Sequence, residues 1–221
     1  MMSDNLNKPF AVIGAGGHGK VVLHALRSAG RQVIRLTDLT PQHFADGVDG
    51  VDGVPVCSDD ELLRDFQPGQ IVLAVGVGSV GPTSAGHVRR QIVERMLQAG
   101  YTFPAFVHQA AWVADSVILQ QGAQIHAGAI VQPGSSIGAF SIVNTGATVD
   151  HDCSLGEFSH VAPGANLSGE VTVADGAHIG AGATVIQGIR IGTESLVAAG
   201  AVVVHNVEDH SRVVGVPARR H

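Results

Sequence analysis

The stretch VNTGATVDHDCSLGEFSHVAPGANLSGEVTV, residues 143–173, decides the fold. Its aliphatic residues Val143, Val149, Leu155, Val161, Leu167 and Val173 recur at every sixth position. Followed outward, the same period runs back through Ile137, Val131, Ile125 and Leu119 to Val113, and forward through Ile179, Val185, Ile191 and Val197 to Val203. The residue four places after each aliphatic is mostly small, as at Ala123, Ala147, Cys153, Ala165 and Ala201. The residue three places after is repeatedly glycine, from Gly122 to Gly200. A period of six matches neither an amphipathic helix nor an alternating strand. It is the signature of a hexapeptide β-helix, a stacked solenoid. Each aliphatic fills the axis, small residues fit the tapered interior, and glycine permits the turns. Three hexads close one triangular coil, with coils stacked about 4.8 Å apart.

Upstream of Val113 the grammar changes. Residues 10–13 form an apolar strand that runs into GAGGHGK, residues 14–20. A helical stretch follows with Val21, Val22, Ala25, Leu26 and Ala29 on one face, and Gly30 ends it. Residues 33–36 read as a second strand, closed by Thr37 and Asp38. A polar, turn-rich segment then passes Gly53 and Pro55. Residues 71–75 read as a third strand that ends at Gly76, residues 88–99 as a helix, and residues 102–107 as a further strand. Strands alternating with helices predict a small parallel sheet of the nucleotide-binding type. The expected organisation is an α/β, Rossmann-like domain over residues 1–108 followed by a β-helix domain over residues 109–221.

Composition narrows the function classes. The chain has 221 residues, 45% of them apolar, so it can build a core. A net charge of −6 argues against a general nucleic-acid binder, which carries a basic surface. Two cysteines, Cys57 and Cys153, make no disulfide framework. The first ten residues are polar and lack the apolar centre of a signal peptide. No apolar run reaches the roughly 18 residues of a membrane helix. The expected setting is cytoplasmic, with no membrane span.

The hexads resemble those of the left-handed β-helix acyltransferases. The left hand is implied by that resemblance, since the usual rule for parallel crossovers gives the right hand. With GAGGHGK upstream and GVPARR at residues 215–220, the whole chain resembles the bacterial nucleotide-sugar acetyltransferases of the NeuD/PglD group. Residues 144–171 carry the closest match. The resemblance implies N-acetylation, from acetyl-CoA and without a metal, of the 4-amino group of a nucleotide-linked 4-amino-4,6-dideoxy sugar. A UDP-sugar is favoured, with GDP or dTDP as alternatives. O-acetylation of a sialic acid-type sugar is the rival activity, and a non-catalytic nucleotide-sugar-binding protein the rival class. A homotrimer with active sites between neighbouring subunits is implied as well.

Acyl transfer to an amine needs a proton acceptor as nitrogen attacks the thioester, and neutral imidazole suits this near pH 7. The resemblance gives that role to His151, with Asp152 as its carboxylate partner. Neighbours on a strand point to opposite faces, so Asp152 reaches His151 only at a coil corner, and Asp150 is the rival. Gly169 lies one coil beyond His151, where a backbone N–H can serve the oxyanion; it is equally a plain turn glycine. Asn144 is expected to bond the base or the substrate amine. For acetyl-CoA the resemblance points to His160 and to the backbone at Ala181 and Ala199, which share a column. Arg219 and Arg220 are candidates for the CoA phosphates.

In the first domain, residues 14–19 satisfy G-x-G-x-x-G between a strand and a helix. Such glycines let backbone approach a diphosphate, and a helix N-terminus favours anions. Asp38 stands where a ribose-binding acid often sits. An NAD enzyme is the alternative, but about four strands are few for a full dinucleotide fold. The resemblance assigns Gly16, Gly17, His18, Asp38 and Gly76 to the nucleotide sugar. Zinc is the other use for histidines. His160 and His178 fall in one column, yet His126 and His151 occupy other hexad positions and supply no third ligand. An ice-binding face needs threonine ladders, and the threonines here form no unbroken column.

Overall fold

The computed structural model describes residues 8–44, 50–78 and 84–221, so most of the polar N-terminal decapeptide lies outside the described residues. The chain divides into two compact units: the first ends at Pro104, and the second takes Ala105–His221 together with the segment 79–87, so the first turn of the third helix is grouped with it.

The first unit is built on β1 (Phe10–Ile13), α1 (Gly17–Ser28), β2 (Val33–Thr37), β3 (Val56–Cys57), α2 (Asp59–Asp65), β4 (Val72–Val75) and α3 (Ser84–Gln98). The strands make a parallel sheet in the order β3-β2-β1-β4. The central strands read as unbroken apolar runs because both faces are covered: all of β1 and β4 is buried. α1 buries Val22, Leu23, Ala25 and Leu26. It ends at Gly30, whose φ of +70° is followed by an N–H of Arg31 bonded back to Leu26 O at 2.9 Å. Neither β3 nor α2 was read from the sequence. The signal was present: Ser58 and Glu61 form a reciprocal capping box ahead of buried Leu62.

The second unit is the hexapeptide solenoid. Its first strand, Phe106–Val107, pairs with Gln124–Ile125. Of residues 102–107, only Phe106–Val107 forms a strand, and it joins the solenoid, while Thr102 O accepts Leu73 N of β4 at 2.9 Å; the six-residue period thus begins one hexad earlier than Val113. Among the described residues the coils stack into parallel sheets of five, eight and six strands, the eight-stranded one ending in an antiparallel strand, Arg219–Arg220. Register follows the 18-residue column throughout, as in Ile142↔His160↔His178↔Leu196. Ile125, Val143, Val161, Ile179 and Val197 stack on the axis without exposure. Each such side chain contributes roughly 1.5–3 kcal/mol by burial. Ser135, Ser141, Ser159 and Ser195 are buried among them and spend their hydroxyls on neighbours, for instance Ser195 Oγ on Gly192 O at 2.6 Å.

Candidate active site

In the first unit the carboxyl ends of β1 and β4 lie side by side, which is where open α/β sheets take ligands. Three glycines interlock there. A Cβ on Gly19 would stand 2.0 Å from Gly14 O, and one on Gly76 would stand 2.5 Å from the same oxygen. Those positions are glycine because strand, helix and loop backbones touch. Gly16 and Gly17 differ: nothing lies within 4 Å of a Cβ at either, and both are exposed. α1 begins beyond an extended Gly16 with no side-chain cap and no acidic residue in its first turn. The positive dipole end of α1 is thus not neutralised by its own first turn, which favours an anion there. His18 lies against Gly78, where a Cβ would be 3.3 Å from its own Cβ. Asp38 follows β2 beside the glycine loop, since Gly14 N donates to Thr37 O at 3.1 Å. One carboxylate oxygen, Oδ1, accepts from Thr40 N at 2.9 Å and Thr40 Oγ1 at 3.0 Å. The five expected residues therefore gather at one end of the sheet. For Gly76, packing alone accounts for the missing side chain.

In the solenoid, His151 sits on the edge between the six-stranded and five-stranded sheets. Asp152 has φ +58°, a left-handed turn that aspartate tolerates better than most residues. The chain reverses there, so the carboxylate comes back to its neighbour: His151 Nδ1 and Asp152 Oδ2 are 2.8 Å apart. A carboxylate only accepts, so Nδ1 carries the proton and Nε2 keeps its lone pair. Asp150 takes the other task, accepting the His151 backbone N–H at 2.8 Å. The hydrogen bond that His151 Nδ1 donates to Asp152 raises the His151 pKa above the ordinary histidine value, and the charges of Asp150, Asp152 and Glu170 act in the same sense. Gly169, one coil further along, lies against the ring. A Cβ on it would meet His151 Nε2 at 2.5 Å, so only glycine lets the imidazole occupy this place. Among the described residues, no group of the chain takes the Gly169 N–H. A lone pair and an open N–H thus stand together at one corner. A shallow groove of about 240 Å³ begins beside it, lined by Gln132, Thr148, Asp150, Asn166 and Ser168.

The remaining expected residues form a second cluster on another edge, between the eight-stranded and six-stranded sheets. Asn144 does not bond His151. Its Oδ1 accepts Thr145 N at 2.8 Å, which turns Nδ2 to His160 Nε2 at 3.1 Å. The physical reason is the hexad: Asn144 and His151 stand seven residues apart, on successive corners of one coil. His160 meets His178 edge to face at 4.8 Å between ring centroids. Ala181 and Ala199 stack on this edge, Gly200 N donating to Ala181 O at 2.9 Å. Both are exposed, and among the described residues neither N–H is taken. Arg220 pairs with Glu208 at 3.2 Å and, with Arg219, His205 and Asn206, lines a pocket of about 340 Å³.

Sequence reasoning missed the coil beneath His151. Pro133 O accepts Asp152 N at 3.0 Å. Ser135 Oγ donates to Asp150 O at 2.8 Å and accepts Cys153 N at 3.1 Å. Subtracting 18 from 151 and 153 gives Pro133 and Ser135.

The PglD N-terminal domain model matches residues 10–96. No curated protein matches the chain. The acetyltransferase domain of PglB from Neisseria gonorrhoeae FA1090, solved with acetyl coenzyme A, is 38% identical; the match covers 97% of this chain and 100% of that one, with a TM-score of 0.86. PerB from Caulobacter crescentus, solved with CoA and GDP-perosamine, is 36% identical over 96% of this chain and 97% of its own, with a TM-score of 0.85. WeeI from Acinetobacter baumannii AYE is 25% identical over 97% of this chain and all of its own, with a TM-score of 0.83. Fold, glycine loop and full-length likeness agree: the chain belongs to the NeuD/PglD-type family of left-handed β-helix sugar acetyltransferases.

Proposed function

We propose that the protein transfers the acetyl group of acetyl-CoA to the 4-amino group of a nucleotide-linked 4-amino-4,6-dideoxy sugar. One observation carries this reading: the His151–Asp152 pair with its free Nε2 beside the open Gly169 N–H. The substrate amine attacks the thioester carbonyl while His151 Nε2 accepts its proton. Asp152 holds the tautomer and steadies the imidazolium that forms. The Gly169 N–H donates to the oxyanion of the tetrahedral intermediate. The C–S bond then breaks, and His151 returns the proton to the departing thiolate. A positioned base contributes about 10²–10⁴ in rate.

The glycine loop at Gly16 and Gly17 would take the diphosphate on the α1 N-terminus, with His18 and Asp38 at the sugar or ribose. His160, Ala181 and Ala199 would hold pantetheine by side chain and backbone. A GDP-linked sugar stands beside the UDP-linked one, because PerB is seen with GDP-perosamine. The two clusters occupy different edges of one prism, which supports a homotrimer in which one subunit's His151 edge faces its neighbour's Asn144–Ala199 edge. The reading places the enzyme in the cytoplasm, where both substrates are made. Among the described residues no helix is long and apolar enough to cross a membrane.

The test is acetyl-CoA-dependent thiol release with GDP-perosamine and with UDP- and dTDP-4-amino-4,6-dideoxy sugars, beside CMP- and free sialic acids. Turnover with one amino sugar is expected. Turnover with sialic acids alone would replace the reading with O-acetylation, and none at all would refute it.

A further inference from the structure

Each hexad puts the residue three places after its aliphatic on a coil edge. Along the edge that carries His151 these residues are Ser116, Gly134, Asp152, Glu170 and Gly188. Gly134, Asp152, Glu170 and Gly188 share a left-handed backbone, with φ of +76°, +58°, +61° and +69°. The conformation belongs to the edge, and Asp152 and Glu170 adopt it with full side chains. Backbone freedom therefore does not explain both glycines equally. At Gly188 nothing lies within 4 Å of a Cβ. At Gly134 a Cβ would stand 2.3 Å from Asp152 Oδ1 and 3.3 Å from its Cγ. The carboxylate rests on the bare Cα of the coil beneath, between the bonds that Pro133 and Ser135 make to the same corner.

We propose that Gly134 is a positioning residue for the base: its missing side chain is the space that lets the Asp152 carboxylate take the His151 Nδ1–H. This rests on reading His151 as the base. A methyl group at this position would displace the carboxylate, not the backbone, because the atom it meets is the far end of a side chain 63% exposed to solvent. Asp152 would swing outward and His151 would lose its acceptor. Asp150 and Glu170 would remain as the other charged groups facing the ring.

The test uses the full-length protein labelled at histidine, with the His151 titration followed by NMR in Gly134→Ala, Gly188→Ala, Asp152→Ala and the Gly134→Ala/Asp152→Ala double variant. Gly134→Ala should lower the His151 pKa about as far as Asp152→Ala does. Gly188→Ala, with similar backbone strain and no clash, should leave it in place. The double variant should titrate like Asp152→Ala alone, since the two act through one contact. An unmoved His151 in Gly134→Ala, or additive shifts, would overturn the proposal. Should Gly134→Ala fail to fold, folding of the double variant supports the clash with the carboxylate; failure of both while Gly188→Ala folds sinks it. The NMR readout needs no substrate. Expected shifts combined with full turnover in His151→Ala would refute the base and leave the positioning intact.

Discussion

Acid should unfold this protein in a way traceable to one residue, His178. Its ring is 5% exposed, and Nδ1 has no hydrogen-bond partner among the described residues. Burial lowers its pKa from 6.5 to about 4. The unfolded chain therefore binds a proton below pH 6.5 that the folded chain takes only near pH 4. Stability falls with pH across that window, because the proton favours the unfolded state. The linkage is worth about 2 kcal/mol at pH 5 and about 3 kcal/mol at pH 4, against a few tenths at pH 7. His178→Leu removes it. Leucine suits the site, since Leu196 is the next residue of the same column and Ile142 lies two coils before it. Losing an unsatisfied buried nitrogen should also leave the variant at least as stable at pH 7. The assay is urea unfolding, followed by circular dichroism at a fixed protein concentration from pH 7 to pH 4. Titrating groups that do not touch His178 cancel in the difference between the two proteins; His160, whose ring packs against it, is the exception. That difference should widen by about 3 kcal/mol as pH falls. Parallel curves would refute the reasoning and mean that water reaches the His178 ring.

Three further outcomes are expected. His151→Ala should lower kcat by about 10²–10⁴ while CoA still binds, as measured by calorimetry; near-wild-type turnover would remove His151 as base. Asp152→Asn should move the acid limb of kcat/KM to lower pH, because the anionic acceptor that raises the His151 pKa is replaced by a neutral amide and the base stays neutral further into acid; a stationary limb would mean that another group sets it. In the glycine loop, Gly17→Ala should melt like the wild type yet lose GDP and UDP binding, whereas Gly19→Ala should fall sharply in Tm, since its Cβ would stand 2.0 Å from Gly14 O. The reverse pattern would mean that the glycines had been assigned the wrong roles.

The β-helix was legible in the sequence because its core repeats. One aliphatic per hexad must face the axis, and no other architecture imposes a period of six over so many residues. The first unit was legible more coarsely. Hydrophobic runs marked β1, β2 and β4, but the two-residue β3 and the seven-residue α2 are too short for periodicity to reveal. The strand at Phe106–Val107 misled for the same reason: two residues hold no record of which sheet they join.

The residue types of the proposed catalytic corner came from sequence, while their relations came from the coil. Whether Asp150 or Asp152 faces His151 depends on one left-handed turn, which places the second carboxylate on the ring and gives the first to the backbone. Whether Gly169 and Gly134 matter depends on what lies one coil away, and chain neighbours do not reveal that. Within one chain the Asn144 amide meets His160 and not His151, because successive corners of a triangular coil lie on different edges. Sequence alone determined the fold, the column spacing and the chemistry available. Only the stacking of coils decided which of those groups touch, since contacts across 18 residues are made by the solenoid and not by the chain.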